Sequence, residues 1–431
     1  MGLAALVERA IGGSLPVRLE VYDGSRAGPA DAPGTLVIRR PEAFSRMLTR
    51  PGELGLARAY VAGDVDLEGD LFAVLESLDD LEPRIEPRAV PPLLRALGPG
   101  VLRPLPPPPE EARLSGRLHS KERDRRAVTH HYDVSNAFYR LVLGPTLTYS
   151  CAVFESPDDS LEVAQTNKYD LICRKLGLQE DQRLLDVGCG WGGMLLHAAT
   201  TYGVIGVGVT LSREQAELAT KRVAEAGLTG RIDIRVQDYR DVRDGPFDAI
   251  SSIGMFEHVG RARMEAYMRR LHALLRPGGR LLNHAISRPG YPQPDTARGR
   301  AIALGRRLLT AAGSRVTSRI DSDFMQRYVF PDGELHEVGV VVSMLNESGF
   351  EVRHVENLRE HYALTLRRWV ANLEEHWDEA VAEVGVGRAR VWRLYMAASA
   401  VNFERGNIEI HQVLAVRPDR GRSGMPLRPS F

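Results

Sequence analysis

The stretch LLDVGCGWGG at residues 184–193 constrains the fold of this chain more than any other feature. Its apolar start suits a buried strand, and its glycines, which lack a Cβ, allow a tight turn into the apolar helical run that begins at Met194. Backbone amides at the start of such a helix are accessible to a ligand. The stretch therefore predicts a nucleotide-type ligand site, and the alternative is an ordinary glycine-rich turn with nothing bound.

Strand and helix patterns alternate around this stretch. Strands are predicted over residues 183–187, 204–210, 231–237, 247–254 and 280–287, and helices over residues 161–175, 194–202, 212–226 and 261–275. Ser212, followed three residues later by Gln215, predicts a capping box at the start of one helix. Such an alternation predicts an α/β fold with a mostly parallel sheet and helices on both faces. Ligands of such sheets bind at the carboxyl ends of the strands, which is where the glycine turn is expected.

The chain is expected to divide at a proline-rich segment. Residues 1–98 mix short strand and helix patterns and predict a small α+β N-terminal domain. Residues 99–113 contain PLPPPP, which cannot form a helix, and predict a stiff linker. The larger domain is expected to cover residues 114–420, followed by a flexible tail at 421–431.

Composition and charge limit the possible classes of protein. Hydrophobic residues make up 43% and charged residues 26% of the 431 residues, which is typical of a soluble globular protein. The formal net charge of zero gives no indication of a nucleic-acid partner. Because no apolar run is long enough to cross a bilayer, and Glu8 and Arg9 interrupt the N-terminal one, a cytoplasmic protein is expected. Three scattered cysteines predict neither a disulfide framework nor a zinc site.

The residues around the glycines distinguish between two kinds of ligand. A dinucleotide site requires an acidic residue about 20 positions after the glycines, at the end of the second strand. Here that strand ends in VTLS (209–212), which holds no carboxylate. Asp186 before the glycines, and the pair Asp238 and Tyr239 after the third strand, suit S-adenosylmethionine instead, and no P-loop lysine is present. The pattern therefore favours S-adenosylmethionine.

From about residue 127 to residue 417, the chain resembles the cyclopropane-fatty-acyl-phospholipid synthases and the related mycolic acid cyclopropane synthases. These are S-adenosylmethionine-dependent methyltransferases of class I, Rossmann-like fold. The matching blocks follow in order as HYDVSNAFY (131–139), TYSCA (148–152), LLDVGCGWGG (184–193), GVTLSREQ (208–215), QDYRD (237–241), SIGMFEHVG (252–260), RYVFPDG (327–333) and HYALTLRRW (361–369). The stretch LGLARAYVAGDVDLEGD (54–70) also resembles the smaller domain of phospholipid-acting members, which favours a membrane phospholipid as substrate.

The resemblance implies methyl transfer to the cis double bond of an unsaturated acyl chain, such as oleoyl. An isolated alkene is a weak nucleophile, so the reaction needs the electrophilic methyl group of a sulfonium and a pocket without water. Loss of a proton from the transferred methyl group then closes a cyclopropane. Actinobacterial members instead form a 10-methylene chain, the precursor of 10-methylstearic (tuberculostearic) acid, with a partner reductase. The motifs do not separate the two products, and Thr146 is one candidate for deciding between them.

In the resembling enzymes the proton acceptor is a bound bicarbonate ion. Carried over by motif, the residues that hold it are Cys151, Glu257, His284 and Tyr362, with a backbone contact from Ile286. Each of these taken alone has a structural explanation, such as a small buried thiol or a satisfied core histidine. Their joint occurrence in matching blocks favours the site.

The resemblance also assigns the pocket of the methyl donor. Together with Asp186, the residues assigned to it are Tyr149, Ser150, Gly188, Gly190, Thr210, Gln215, Asp238, Tyr239 and Gly254. Cys189, inside the glycine turn, is given no chemical role because no base is evident beside it.

Residues 297–319 form an insertion that holds several arginines and no acidic residue. A basic amphipathic helix is typical of membrane-surface binding, so the insertion is expected to cover the active site and dock it on the inner face of the membrane. A solvated surface helix is the alternative. The resemblance also suggests a homodimer. Two other functions remain open: a non-catalytic lipid-binding protein that kept the fold, and a methyltransferase for a soluble small molecule.

Overall fold

A computed structural model of the protein describes residues 1–12, 15–81, 85–112, 123, 134–290 and 322–431. Contacts between Cα atoms divide the chain into two units. Unit 1 comprises Met1–Arg113, Asp321–Pro331 and Trp377–Val401, and unit 2 comprises Leu114–Ile320, Asp332–His376 and Asn402–Phe431. The larger unit begins at residue 114, where the larger domain was expected to begin, but residues 99–113 and two later segments join the N-terminal part in unit 1.

Unit 1 contains a four-stranded sheet. Its strands are β1 (Arg18–Val21), β2 (Arg26–Ala27), β3 (Gly34–Ile38) and β4 (Val65–Gly69), in the order β2-β1-β3-β4. Strand β1 pairs in parallel with β3, and the other neighbours are antiparallel. The N-terminal helices of this unit are Leu3–Ala10, Glu42–Thr49, Glu53–Val61, Leu71–Asp79 and Val90–Leu97. The predicted α+β character of this part is confirmed.

The proline-rich segment belongs to unit 1 and is not a separate stiff linker. Val101, in the turn Pro99–Leu102, lies in the hydrophobic core of the unit. The buried carboxylate of Glu111 accepts hydrogen bonds from Arg58 (Nε to Oε2, 2.8 Å) and from Arg327 (Nη1 to Oε1, 2.9 Å). Because a buried carboxylate is stable only when it is paired, these contacts hold the segment in place.

Unit 2 contains a seven-stranded sheet. Its strands are β5 (Arg183–Val187), β6 (Ile205–Thr210), β7 (Ile232–Val236), β8 (Phe247–Ile253), β9 (Leu275–Ser287), β10 (Glu351–Asn357) and β11 (Glu409–Val416), in the order β10-β11-β9-β8-β5-β6-β7. Neighbours from β9 to β7 are parallel, whereas β11 is antiparallel to both β9 and β10. The predicted mostly parallel sheet is confirmed, and β10 and β11 are strands that were not predicted.

Helices cover both faces of this sheet. The long helices of unit 2 are Asn136–Leu143, Leu161–Leu176, Gly193–Tyr202, Arg213–Glu225, Met264–Leu274, Val338–Glu347 and Arg359–Glu375. Leu185 of β5 lies in one buried cluster with Leu271, and Leu184 lies in a second cluster with Ile172 and Leu195. Because successive side chains of a strand point to opposite faces, the two clusters mark two sides of the sheet. We call them the Leu185 face and the Leu184 face.

The predicted capping box at Ser212 is formed only in part. The Ser212 hydroxyl accepts the backbone N–H of Gln215 (3.2 Å), as predicted. The Gln215 side chain, however, accepts a hydrogen bond from the hydroxyl of Thr210 (2.9 Å), and that hydroxyl accepts the N–H of Ser212 (3.2 Å). Thr210 thus replaces the glutamine as the partner of the Ser212 N–H, which leaves the Gln215 side chain at the end of β6.

Two further expectations concern the second half of the chain. The insertion at residues 297–319 lies outside the described residues. The tail at 421–431 was expected to be flexible, but the Phe431 ring packs against His354 (centroid distance 5.0 Å), and Met425 packs against the core of the Leu184 face. None of the described helices is long and apolar enough to cross a bilayer.

Candidate active site

A pocket opens at the carboxyl ends of β5, β6, β7 and β8, where an α/β sheet of this kind binds its ligands. The structure places all ten residues assigned to the methyl donor in its wall, namely Tyr149, Ser150, Asp186, Gly188, Gly190, Thr210, Gln215, Asp238, Tyr239 and Gly254. These residues come from five separate stretches of the chain, so the parallel sheet brings them together.

Three pocket glycines have a backbone conformation that favours glycine. Gly188, Gly190 and Gly254 have φ angles of 80°, 52° and 64°. A Cβ added at Gly190 or Gly254 would meet no atom within 4 Å. The backbone at these two positions therefore faces open space, which suits close approach of a ligand. The residues present fit S-adenosylmethionine in this respect.

The acidic residues of the pocket have different environments. Asp186 is buried and accepts a hydrogen bond from the hydroxyl of Ser251 (2.7 Å). Burial raises the pKa of Asp186 to about 6, although this hydrogen bond opposes the shift. Asp238 accepts two hydrogen bonds from the Arg240 guanidinium (2.8 and 2.6 Å). The predicted Asp238–Tyr239 corner is therefore held by an ion pair that the sequence pattern did not indicate.

Lys168 is a pocket residue that sequence reasoning missed. It is 0% exposed, lines the pocket and donates a hydrogen bond to the Ser150 hydroxyl (2.9 Å). Burial lowers the pKa of Lys168 to about 7, and Cys151 and Asp186 oppose the shift. The sequence could have indicated that Lys168 is buried, because helical spacing in Leu161–Leu176 puts this lysine on the apolar face of the helix.

Three of the residues assigned to the proton-acceptor site lie together. Glu257 accepts the backbone N–H of Ile286 through Oε1 (2.7 Å). Two residues before Ile286 on β9, the carbonyl of His284 accepts the N–H of Gly254 (2.8 Å), which joins the strand to the pocket wall. Burial raises the pKa of Glu257 to about 7 and lowers the pKa of His284 well below its usual value.

Glu257 and His284 each have one buried polar atom that makes no hydrogen bond with the described residues. Glu257 Oε2 and His284 Nε2 are buried and have no hydrogen-bond partner among the described residues. Buried polar groups in folded proteins are almost always hydrogen-bonded, so such atoms require an explanation. A bound polar ligand would provide one.

Cys151 and Tyr362 form a second group. The Cys151 thiol (3.7 Å, measured from Sγ) and the backbone N–H of Tyr362 (3.1 Å) both donate to the carbonyl of Leu358. Burial raises the pKa of the Cys151 thiol, which therefore stays protonated and is not a nucleophile. The Tyr362 ring lies 6.0 Å from the ring of Trp369, which in turn lies 5.3 Å from that of Tyr149. Aromatic packing thus connects this group to the pocket wall.

The fold and the site define a class I S-adenosylmethionine-dependent methyltransferase: a mostly parallel sheet, covered on both faces, with a glycine-lined pocket at its strand ends. Comparison with known families agrees with this class. The mycolic acid cyclopropane synthetase family matches residues 119–413, and the chain belongs to this family.

Several relatives match nearly the whole chain. A probable fatty acid methyltransferase of Mycobacterium tuberculosis is 47% identical over 97% of this chain and 95% of its own length. The tuberculostearic acid methyltransferase of the same organism is 34% identical over 94% of this chain and 88% of its own length. The cyclopropane-fatty-acyl-phospholipid synthase of Escherichia coli is 32% identical over 91% of each chain. The protein is therefore an S-adenosylmethionine-dependent fatty acid or lipid methyltransferase.

A solved structure of the same family agrees with this conclusion. The crystal structure of the mycolic acid cyclopropane synthase CmaA1 complexed with SAH and CTAB has a TM-score of 0.60 and 34% sequence identity to this protein. The structural match covers 68% of this chain and 97% of the CmaA1 chain.

The Lys168→Met variant is expected to bind S-adenosylmethionine about tenfold more weakly, since a buried hydrogen bond made by a charged group is worth roughly 1.5–3 kcal/mol. Methionine keeps the length of the side chain but removes the ammonium that holds Ser150. Calorimetric titration measures the effect. Lys221→Met, at a lysine whose side chain is 71% exposed, is the control and should bind normally. Equal affinity of both variants would show that Lys168 is only a core residue.

Proposed function

We propose that this enzyme transfers a methyl group to the cis double bond of an unsaturated acyl chain in a membrane phospholipid and forms a cyclopropane. The observation that carries the proposal is the placement of Glu257 and His284. Each has a buried polar atom for which the described residues offer no hydrogen-bond partner, and β9 joins both to the wall of the donor pocket. The Escherichia coli relative, named a cyclopropane-fatty-acyl-phospholipid synthase, supports the phospholipid substrate.

The pocket residues have two tasks. S-adenosylmethionine, when bound, supplies the electrophilic methyl group. The apolar lining excludes water from the reacting centre, and it comes from side chains that include Leu147, Val187, Val209, Ile253 and Met255. The open backbone at Gly190 and Gly254 allows the donor to lie against the strand ends. Orientation and exclusion of water are the main contributions expected of a protein in such a transfer.

The proton that leaves the methylated chain needs an acceptor, and the residues present fit bicarbonate in that role. A bicarbonate ion has acceptor oxygens as well as one O–H donor. Oε2 of the Glu257 carboxylate, which is unpaired among the described residues, would accept from this O–H, and the His284 Nε2–H would donate to an oxygen. The protonated Cys151 thiol and Tyr362 would border the same space. In this proposal the protein supplies the cage, and its own side chains do not form a covalent bond with the substrate.

The location and assembly of the enzyme are also part of the proposal. We place it at the inner face of the membrane as a peripheral protein, because the double bond it modifies belongs to a lipid. A homodimer is expected from the resemblance of the sequence to the family, and analytical ultracentrifugation tests it. Activity on a soluble unsaturated ester without any phospholipid would contradict the membrane assignment.

Expression in a bacterial host that makes oleoyl phospholipid and has no cyclopropane synthase of its own should produce a new fatty acid methyl ester that is heavier by one CH₂ group. Mass spectrometry of the methyl esters detects the added carbon, and proton NMR separates cyclopropane protons from vinylidene protons. Glu257→Gln, expressed to the same level, is the control and should produce little of the ester. Absence of the heavier ester from cells that contain folded, S-adenosylmethionine-binding protein would contradict the proposal.

A 10-methylene product is the second candidate. The observation that favours it is the relative named tuberculostearic acid methyltransferase, which is 34% identical to this chain. The same donor pocket and proton acceptor serve both products, and a partner reductase would then convert the methylene group to a methyl branch. Vinylidene protons in the same lipid extract would identify this outcome.

A further inference from the structure

A row of polar side chains crosses the sheet of unit 2 from its edge toward the donor pocket. Glu356 of β10 pairs with Gln412 of β11, Gln412 pairs with His284 of β9, and His284 pairs with Ile253 of β8, a residue of the pocket wall. Directly paired residues on neighbouring strands lie within side-chain reach of each other. The row therefore connects the sheet edge to the proposed proton-acceptor site.

Lys175 lies against this row on the Leu184 face. It belongs to the helix Leu161–Leu176 and is fully buried. Its ammonium forms an ion pair with Glu356 and donates a hydrogen bond to Oε1 of Gln412 (2.7 Å). The amide nitrogen of Gln412 lies 3.1 Å from Nδ1 of His284. All four residues thus form one continuous hydrogen-bonded chain.

The chemistry of these groups determines the direction of each hydrogen bond. An ammonium only donates, so the amide oxygen of Gln412 must face Lys175 and its NH₂ group, which also only donates, must face His284. Nδ1 of His284 therefore accepts and carries no proton. Because burial and nearby cations, with Lys168 first among them, keep this imidazole neutral, its single proton lies on Nε2.

We propose that Lys175 and Gln412 are positioning residues that hold His284 as the Nε2–H tautomer, so that the ring presents a donor to the small oxyanion of the proton-acceptor site. Nε2 is the buried atom for which the described residues provide no acceptor. With the opposite tautomer, Nε2 would present a lone pair to the anion and repel it. The inference rests on the proposed function, but it concerns a property of the histidine that is measurable without substrate.

The Gln412→Glu variant tests this inference with little change in shape. A carboxylate at position 412 accepts from Lys175 as before but has no N–H for His284, so the imidazole must donate from Nδ1. The ring nitrogens are observed by ¹⁵N NMR of protein labelled in histidine, and His284→Gln assigns the signals. We expect an unprotonated Nδ1 in the wild-type protein and a protonated Nδ1 in the variant.

The kinetic effect of Gln412→Glu should be a loss of kcat with little change in the KM for S-adenosylmethionine. We expect roughly a 10- to 100-fold loss, the range found where outer residues orient a ligating histidine. Ser287→Ala is the matched control, because Ser287 makes a 2.7 Å hydrogen bond to Nδ1 of His411 on the other face of the same two strands. That variant should leave the His284 signals and kcat unchanged.

If Gln412→Glu does not fold, Lys175→Met replaces it. This variant frees the Gln412 amide to turn and should produce a mixture of the two tautomers with an intermediate kcat. A wild-type spectrum with the proton on Nδ1 would overturn the proposal, as would full kcat in a variant whose tautomer has changed. The expected tautomer in a protein that modifies no lipid would contradict only the proposed function.

Discussion

Replacing Glu257 by glutamine is expected to lower turnover by about two to four orders of magnitude, the usual contribution of a group that manages a proton in the transition state. Glutamine keeps the shape of the side chain and can still accept the N–H of Ile286. It cannot offer a carboxylate to the ligand proposed at Glu257 Oε2, an atom that has no hydrogen-bond partner among the described residues. Binding of S-adenosylmethionine should remain normal, because Glu257 does not line the donor pocket.

The same variant has an expected effect on stability. Burial raises the pKa of Glu257 from an ordinary 4.5 to about 7. Between these two pH values the folded protein keeps the carboxyl proton, whereas the unfolded chain has already released it. This contribution to stability is fully present below the unfolded pKa and is lost as the pH rises through the folded pKa. Glutamine does not titrate. The difference in melting temperature, Glu257→Gln minus wild type, should therefore be more positive at about pH 8 than at about pH 5.

Turnover and melting temperature separate two explanations of Glu257. A residue that only supports the fold would lose stability at both pH values on substitution and would keep its activity per folded molecule. Undiminished turnover of Glu257→Gln in the lipid assay would remove Glu257 from the site. A melting temperature difference that does not depend on pH would show that the buried carboxyl group does not hold the proton.

Alanine at Gly190 is expected to weaken S-adenosylmethionine binding about tenfold or more, which corresponds to roughly 1.4 kcal/mol. A methyl group at this position occupies space next to the backbone that the donor should contact. Gly227→Ala is the matched control, because Gly227 also has a left-handed φ of 70° and no atom within 4 Å of an added Cβ, but it does not line the pocket.

Both glycine variants should lose a similar amount of stability, about 1–2 kcal/mol, because alanine is strained in the left-handed region. Calorimetric titration and thermal unfolding of the two proteins therefore separate strain from the loss of the ligand site. If Gly190→Ala binds S-adenosylmethionine as tightly as Gly227→Ala does, the open backbone at Gly190 is not the cradle of the donor.

The local patterns of the sequence were sufficient to predict the central part of the fold. The apolar start of LLDVGCGWGG predicted β5, the apolar helical run from Met194 predicted the helix that follows it, and the glycines marked the turn between them. These features depend on neighbours along the chain. Family motifs then indicated Glu257 and His284, whose roles stay predictions that the experiments above test.

The proline-rich segment shows where composition misled. Prolines predict an extended conformation, but they do not predict whether that conformation packs against a domain. The structure shows that Val101 enters the core of unit 1 and that Glu111 pairs with Arg58 and Arg327. Arg327 lies 216 positions from Glu111 in sequence, and no local pattern links the two.

Other features of the site depend on which strands become neighbours. Lys175 and Gln412 are 237 positions apart and meet only because β11 inserts between β9 and β10. The sequence therefore indicated that a glycine turn, a donor pocket and a histidine on an apolar strand exist. Only the tertiary structure places the buried Lys168 against Ser150 and links the buried Lys175 to His284 through Gln412. The physical reason is that strand order and helix packing set long-range contacts, whereas sequence periodicity reports only which face a residue occupies.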